Sequence, residues 1–313
     1  MTAPDNRWVL PVGTASRDGC ETVVDDAPAD WHHTGLRIAT LADGQTLTVD
    51  AGPWEYVVVP LAGSARVQAI SGDGDENSVD LAGRISVFSG ATDVAYAPAG
   101  SSLTLTGISA AARIAVCAAH VTEDRAADPK FRHLAAGEIP VELRGAGTAS
   151  REVRNFAIPA VLEADAMIAC EVVTPAGNWS SYPPHKHDEE REGVETELEE
   201  IYYFETQVEG AAAGGPVPEG ADPIGYQRVY GTTERPIDVL AEVRTGDVVL
   251  VPHGWHGPAM AAPGYDLYYL NVMAGPGPSR AWLICDDPSH GWVRDTWAEQ
   301  ATDPRLPMGG AHR

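Results

Sequence analysis

Two histidines separated by one residue, His185-Lys186-His187, point the same way on a β-strand, because successive side chains alternate between faces. A carboxylate at Glu200 and a third imidazole at His256 complete a set of three nitrogen donors and one oxygen donor. Such a set suits a divalent metal that keeps at least one position open for a substrate. The same alternation turns Lys186 away from the pair, toward solvent. Twelve residues lie between His187 and Glu200, and Asp188, Glu189, Glu190, Glu192, Glu195, Glu197 and Glu199 make them strongly acidic. All are ligands by residue type, but a run of like charge reads as a solvated loop. Glu200 is preferred because it opens the strand-like Glu200-Ile201-Tyr202-Tyr203-Phe204, which fixes its direction. The acidic run beside it is a candidate lid.

Holding four side chains at one point requires a rigid scaffold, and the chain is patterned for short strands. Leu36 to Leu41, Gln45 to Val49, Trp54 to Pro60, Ala65 to Ile70, Ile85 to Phe88, Asp93 to Pro98, Ser102 to Thr106 and Ala112 to Val116 follow one another with turn residues between them. Thirty-two glycines and 24 prolines supply those turns. Short strands at such spacing predict an all-β sandwich or barrel. Residues 122–150, broken by Pro129, Pro140 and Gly145-Ala146-Gly147, read as a connector, and strand patterning resumes from Arg151. The two halves share a layout, each with an apolar run ending in Pro-x-Gly: Pro98-Ala99-Gly100 and Pro252-His253-Gly254. The expected organisation is therefore a barrel over residues 1–121 without metal ligands, the connector, and a metal-binding barrel over 151–313.

Composition narrows the partners. A formal net charge of −24 argues against nucleic acid or an anionic membrane surface. An anionic substrate would need local cations, and with lysine present only at positions 130 and 186 that duty falls to arginine. No apolar run approaches the roughly 20 residues of a membrane-spanning helix, and Met1-Thr2-Ala3-Pro4 does not begin a signal-peptide profile, so a cytoplasmic protein is expected. Cys20, Cys117, Cys170 and Cys285 are widely spaced and read as free thiols. For the same reason Asn178-Trp179-Ser180 carries no weight as a glycosylation site.

His-x-His, a downstream Glu, then Gly246-Asp247-Val248-Val249-Leu250-Val251-Pro252-His253-Gly254-Trp255-His256 resemble the two motifs of the cupin superfamily, a double-stranded β-helix jelly roll. The chain departs from the usual pattern in the long gap before Glu200 and in having one residue, not two, between Gly254 and His256. Three further stretches sharpen the likeness: Ser180 to Asp188 with Leu198 to Phe204, Ala262 to Gly275, and Trp282 to Trp292. Together they resemble the 5-deoxy-glucuronate isomerase family of myo-inositol catabolism, itself similar to the uronate ketol-isomerases. The resemblance implies a bicupin in which His185, His187, Glu200 and His256 hold a divalent metal. Zinc or manganese stand foremost, with iron and nickel also compatible. It implies isomerisation of a small uronic acid, 5-deoxy-glucuronate, to 2-deoxy-5-keto-gluconate, with a homo-oligomer as an open possibility.

Weighed against that chemistry, His253, Asp266 and Tyr269 are acid–base candidates. Arg228, Arg280 and Tyr265 are candidates for the substrate, the arginines through bidentate pairing with its carboxylate. Which face of Tyr265 to Asn271 looks inward is open, as is enediol against hydride transfer. Trp282 and Trp292 read as packing residues. A cupin dioxygenase using non-haem iron and a non-catalytic sugar-acid binding protein are the alternative functions.

Overall fold

A computed structural model describes residues 7–25, 30–122 and 128–309; among these the strands form antiparallel sheets of seven, nine and six strands. The expected all-β, two-barrel jelly-roll architecture is what the chain forms. The nine-stranded sheet is drawn from Thr22–Val24 through Arg132–Leu134. It curls because the 17-residue strand Trp54–Ile70 serves two partners: its first part pairs with Ala112–His120 and its second with Ser102–Gly107. Register shifts at Pro60/Ala62 and Gly63/Ala65 supply the bend. The seven- and six-stranded sheets come from Val141 onward, with one crossover: Val9–Leu10 pairs with Val248–Val251.

Two expectations change here. The segment read as a connector carries strands, Arg132–Leu134 on Val94–Ala97 and Val141–Arg144 on Arg151–Ala157. Its prolines and glycines sit between these strands and break neither. Ile85 to Phe88 is not a strand; Val87–Ser89 is a 3-10 turn whose Val87 and Gly90 carbonyls accept from the buried Arg154. All four cysteines are free, as expected. No helix among the described residues is long and apolar enough to cross a membrane.

Burial shows how the sheets are layered. Asp238–Val243 alternates buried and exposed residues, as a one-sided strand should, whereas every residue of Ile168–Thr174 is buried. The seven-stranded sheet has two covered faces. One lines the second barrel; the other packs Val173, Ile201, Tyr203, Tyr268 and Leu270 against Leu36, Ile38, Val57, Val59 and Cys117 in a shared core.

A polar network crosses that shared layer. The Glu171 carboxylate takes Arg84 Nη2 at 2.6 Å, Arg154 Nη1 at 2.9 Å and Tyr268 Oη at 2.9 Å, all buried. Two carboxylates act reciprocally. Glu55 accepts the backbone N–H groups of Asp165, Ala166 and Met167 at 2.6–2.8 Å, while Glu199 accepts those of His32, His33 and Thr34 at 2.6–3.2 Å. Each half thus inserts one carboxylate into a run of three amides on the other, just before the strands Thr34–Leu41 and Ile168–Thr174. The two halves mirror each other in this contact, as they do in their Pro-x-Gly runs. Tyr56 follows Glu55 as Glu200 follows Glu199.

Candidate metal centre

Both sheets of the second barrel contribute to one point. His185 opens the strand His185–Lys186 and lies directly opposite His256 of Trp255–Ala261. Glu200 comes from the facing sheet on Glu199–Val208. His187 is tied to that sheet through its carbonyl, which accepts from Leu198 N at 2.8 Å. The candidate ligand nitrogens of the three histidines lie within 4.8 Å of one another. Glu200 Oε2 is 3.1 Å from the Nε2 atoms of both His187 and His256.

The tautomers follow from the backbone. Nδ1 of His185, His187 and His256 lies 3.2, 3.1 and 3.2 Å from the carbonyls of Pro183, Leu198 and Gly254. A carbonyl only accepts, so each Nδ1 donates and each neutral ring turns a lone pair on Nε2 inward. His256 Nε2 is buried without a hydrogen bond although a carboxylate oxygen stands beside it. Lone pairs converging on a carboxylate repel unless a cation lies among them. Three backbone-oriented imidazoles and one carboxylate therefore fit a divalent metal. Burial and its two neighbouring imidazoles push His185 well below the ordinary histidine range. Burial opposes charge on Glu200 too, but His187 and His256 outweigh it and hold its pKa at about 2.

Close packing fixes His256. Gly257 has φ +91°, and a Cβ there would stand 1.8 Å from the Ser181 carbonyl oxygen. Gly257→Ala is expected to cost at least about 2 kcal/mol and to lower metal content by moving His256, checked by thermal unfolding and elemental analysis.

The acidic run is neither solvated throughout nor a lid. Glu195 is buried, accepting Lys186 Nζ and Asp188 N at 2.8 and 2.9 Å and pairing with Arg191. Asp188 pairs with Lys186 and accepts Gly254 N at 2.8 Å. The loop closes on Lys186, which is correspondingly not free in solvent, and residues 188–198 do not line the cavity over the histidines. The cation between the two histidines draws the acids inward.

That cavity has a volume of about 530 Å³ and reaches His185, Glu200, Ser181, Tyr202, Tyr269 and Asn271. Strand pairing settles the open face: Asn271 lies opposite Tyr202 and Tyr269 opposite Phe204, so Tyr269 looks inward while Tyr268 looks to the shared core. Ser181 Oγ and Tyr202 Oη are 3.0 Å apart. Burial raises the pKa values of Tyr202 and Tyr269 above the ordinary phenol range, so both hydroxyls keep their protons.

Of the other candidates, none lines this cavity. Asp266 faces away and accepts Ala176 N and Gln207 Nε2 at 3.0 and 2.9 Å. Tyr265 sits at the far end of the same strand, opposite Val208. His253 lines a separate cavity with Arg235, His32 and His33. Arg228 pairs with Asp238 on the neighbouring strand and stacks on Tyr230, on the outside of the barrel wall. Arg280 donates to the carbonyls of Met167, Leu162 and Ala157 at 2.5–2.8 Å, a purely structural clasp. The arginines that do line the cavity are Arg144, Arg151 and Arg294, with Trp282 and Trp297 beside them; Trp292 is exposed. Arg144 lay hidden in the supposed connector. The one available signal was the pair of arginines flanking Gly145-Ala146-Gly147, which places them opposite each other across a turn.

A model of the KduI/IolB family matches residues 9–293. The chain is 36% identical over 292 residues to 5-deoxy-glucuronate isomerase of Geobacillus kaustophilus (strain HTA426), covering 93% of this chain and 96% of the relative. It is 32% identical over 271 residues to the protein of that name in Bacillus subtilis (strain 168), covering 86% and 91%. Among solved structures, an IolB-like protein from Salmonella typhimurium LT2 is similar with a TM-score of 0.78 at 31% identity, covering 91% of this chain and 98% of that one. Oxalate decarboxylase from Lactobacillus farciminis, with a TM-score of 0.61 at 11% identity over 90% of this chain and 88% of its own, shares the fold.

Proposed function

The chain belongs to the KduI/IolB family, and from that premise we propose that it is a metal-dependent aldose–ketose isomerase converting 5-deoxy-glucuronate to 2-deoxy-5-keto-gluconate in the cytoplasm. The observation that carries this reading is the convergence of His185, His187, His256 and Glu200 at one point, with His185 and Glu200 lining a cavity sized for a sugar acid.

The reaction moves one hydrogen from C2 to C1 and one from the C2 hydroxyl to the carbonyl oxygen, with no external oxidant or reductant. When bound, a divalent metal supplies Lewis-acid polarisation of the carbonyl and adjacent hydroxyl oxygens. The chain's own residues do the rest. The three Nδ1–H···O=C bonds fix the ring directions and aim the Nε2 atoms inward. Tyr269 Oη, protonated through burial, is placed to donate to a substrate oxygen as charge develops there. The Ser181–Tyr202 pair holds a second hydroxyl proton at the cavity wall. Val153 and Val172 close the cavity with apolar surface, which limits water around the reacting carbons.

Incubating metal-analysed protein with 5-deoxy-glucuronate without oxygen and following product by NMR tests the proposal. Turnover is expected, is expected to vanish on chelation, and should return with manganese or zinc. No turnover at full metal occupancy would sink the isomerase reading, and strict dependence on oxygen would favour a dioxygenase.

A further inference from the structure

Three guanidinium groups line the cavity of a chain whose net charge is −24. Two are neutralised on the spot. Arg144 Nε is 2.8 Å from Glu142 Oε2, and Arg294 Nη2 donates to Asp286 Oδ1 at 2.7 Å. Arg151 is different. It is buried, its guanidinium makes one hydrogen bond, Nη1 to the Ala149 carbonyl at 3.1 Å, and among the described residues no carboxylate lies within ion-pair distance of it. Its cross-strand neighbour is Arg144, a like charge. Burial, with Arg144 and Arg294 adding to it, pushes its pKa down to about 10 despite Tyr269 acting the other way.

A buried, unpaired cation beside two more cations costs stability, and a fold keeps one where an anion is to be received. Its remaining N–H groups face the cavity beside Trp297, whose ring centroid lies 5.6 Å from the Arg151 Cζ and 5.3 Å from that of Arg294. Trp282, on the same wall under Arg144, has a buried indole N–H with no acceptor. Gly145 leaves the room: a Cβ there would come 2.7 Å from Arg151 Nη1.

We propose that Arg151, framed by Arg144 and Arg294, is the carboxylate-binding residue of the cavity, taking one monoanionic carboxylate at the end opposite the metal centre. The proposal rests on the sugar-acid reading above and names the residue that selects acid over neutral sugar. One surplus positive charge matches one carboxylate, and the planar fork matches its two oxygens.

The test uses the metal-loaded full chain and its Arg151→Met and Arg151→Lys variants. For 5-deoxy-glucuronate, KM is expected to rise about 100-fold in Arg151→Met with kcat little changed, and about tenfold in Arg151→Lys, which keeps charge but loses the fork. The neutral 5-deoxy-glucose should be handled equally by all three proteins. Without ligand, the melting temperature of Arg151→Met should hold or rise, since an uncompensated buried charge has gone. Unchanged KM, equal losses on the neutral sugar, or a variant that melts lower or fails to fold would overturn the proposal and make Arg151 structural. Calorimetry with D-glucuronate separates it from the isomerase reading. Binding that needs Arg151, in an enzyme that fails to turn over the 5-deoxy acid, supports the carboxylate site while the isomerase reading falls. Turnover indifferent to Arg151 overturns the site and leaves the reading intact.

Discussion

Replacing His187 with alanine is expected to abolish metal uptake and to lower turnover by at least about 10³-fold, with the barrel still folded. The ring does two jobs at once. Its Nδ1 reads the Leu198 carbonyl, two residues before Glu200, and its Nε2 meets the Glu200 carboxylate at 3.1 Å. Removing the ring takes one donor from the set and leaves the buried Glu200 with one imidazole neighbour fewer. The fold should survive, because the backbone bond from Leu198 N to the His187 carbonyl needs no side chain at position 187. Elemental analysis, far-UV circular dichroism and the anaerobic NMR assay check the three parts separately. Retained activity at full metal occupancy would remove His187 from the site.

Glu171→Ala should be the most damaging single change to stability, at about 3–5 kcal/mol, lowering Tm by roughly 10 °C. Glu171 stands between the two halves, and its loss strands the buried guanidinium of Arg84, leaves Arg154 with the carboxylate of Glu152 alone, and unpairs Tyr268 beside them. Burial alone would raise its pKa, but the two arginines outweigh this and hold it at about 2. A folded pKa below the unfolded value contributes stability that is present above roughly pH 4.5 and is lost as pH falls toward 2. The alanine variant should therefore lose part of the parent's acid sensitivity as well as its stability. Urea unfolding at pH 7 and pH 3 reads both, and equal pH dependence in the two proteins would refute the assignment.

Much of the centre was legible from local rules. Strand alternation aligned His185 with the inward direction, a strand-opening carboxylate stood out from seven acidic neighbours, and Pro-x-Gly located His256. The same rules left Lys186 in solvent, because alternation says which face a residue takes but not what waits there. Buried Glu195 and Asp188 waited, and they turned a presumed loose acidic loop into a tied one. His253 lies three residues from His256 yet opens into a different cavity, since the turn at Gly254 redirects the chain between them.

Arginine is the residue type suited to a sugar acid, but Arg228 and Arg280 do not line the cavity, whereas Arg144, Arg151 and Arg294 do. Arg228 shares a strand face with two tyrosines, a pattern that looks like a binding wall, but that face is the outer one. Arg151 and Arg144 carried no such pattern, and Arg294 sits in the 3-10 segment Gly291–Glu299. The sequence by itself determined the β architecture and nominated four candidate metal donors, because strand period and residue type can be read locally. Only the tertiary structure decided which cations line the cavity above the candidate centre. Barrel closure brings residues 144, 151 and 294 to one wall, and that closure depends on strand pairings between residues 57 to 105 apart in the chain, which no local period encodes.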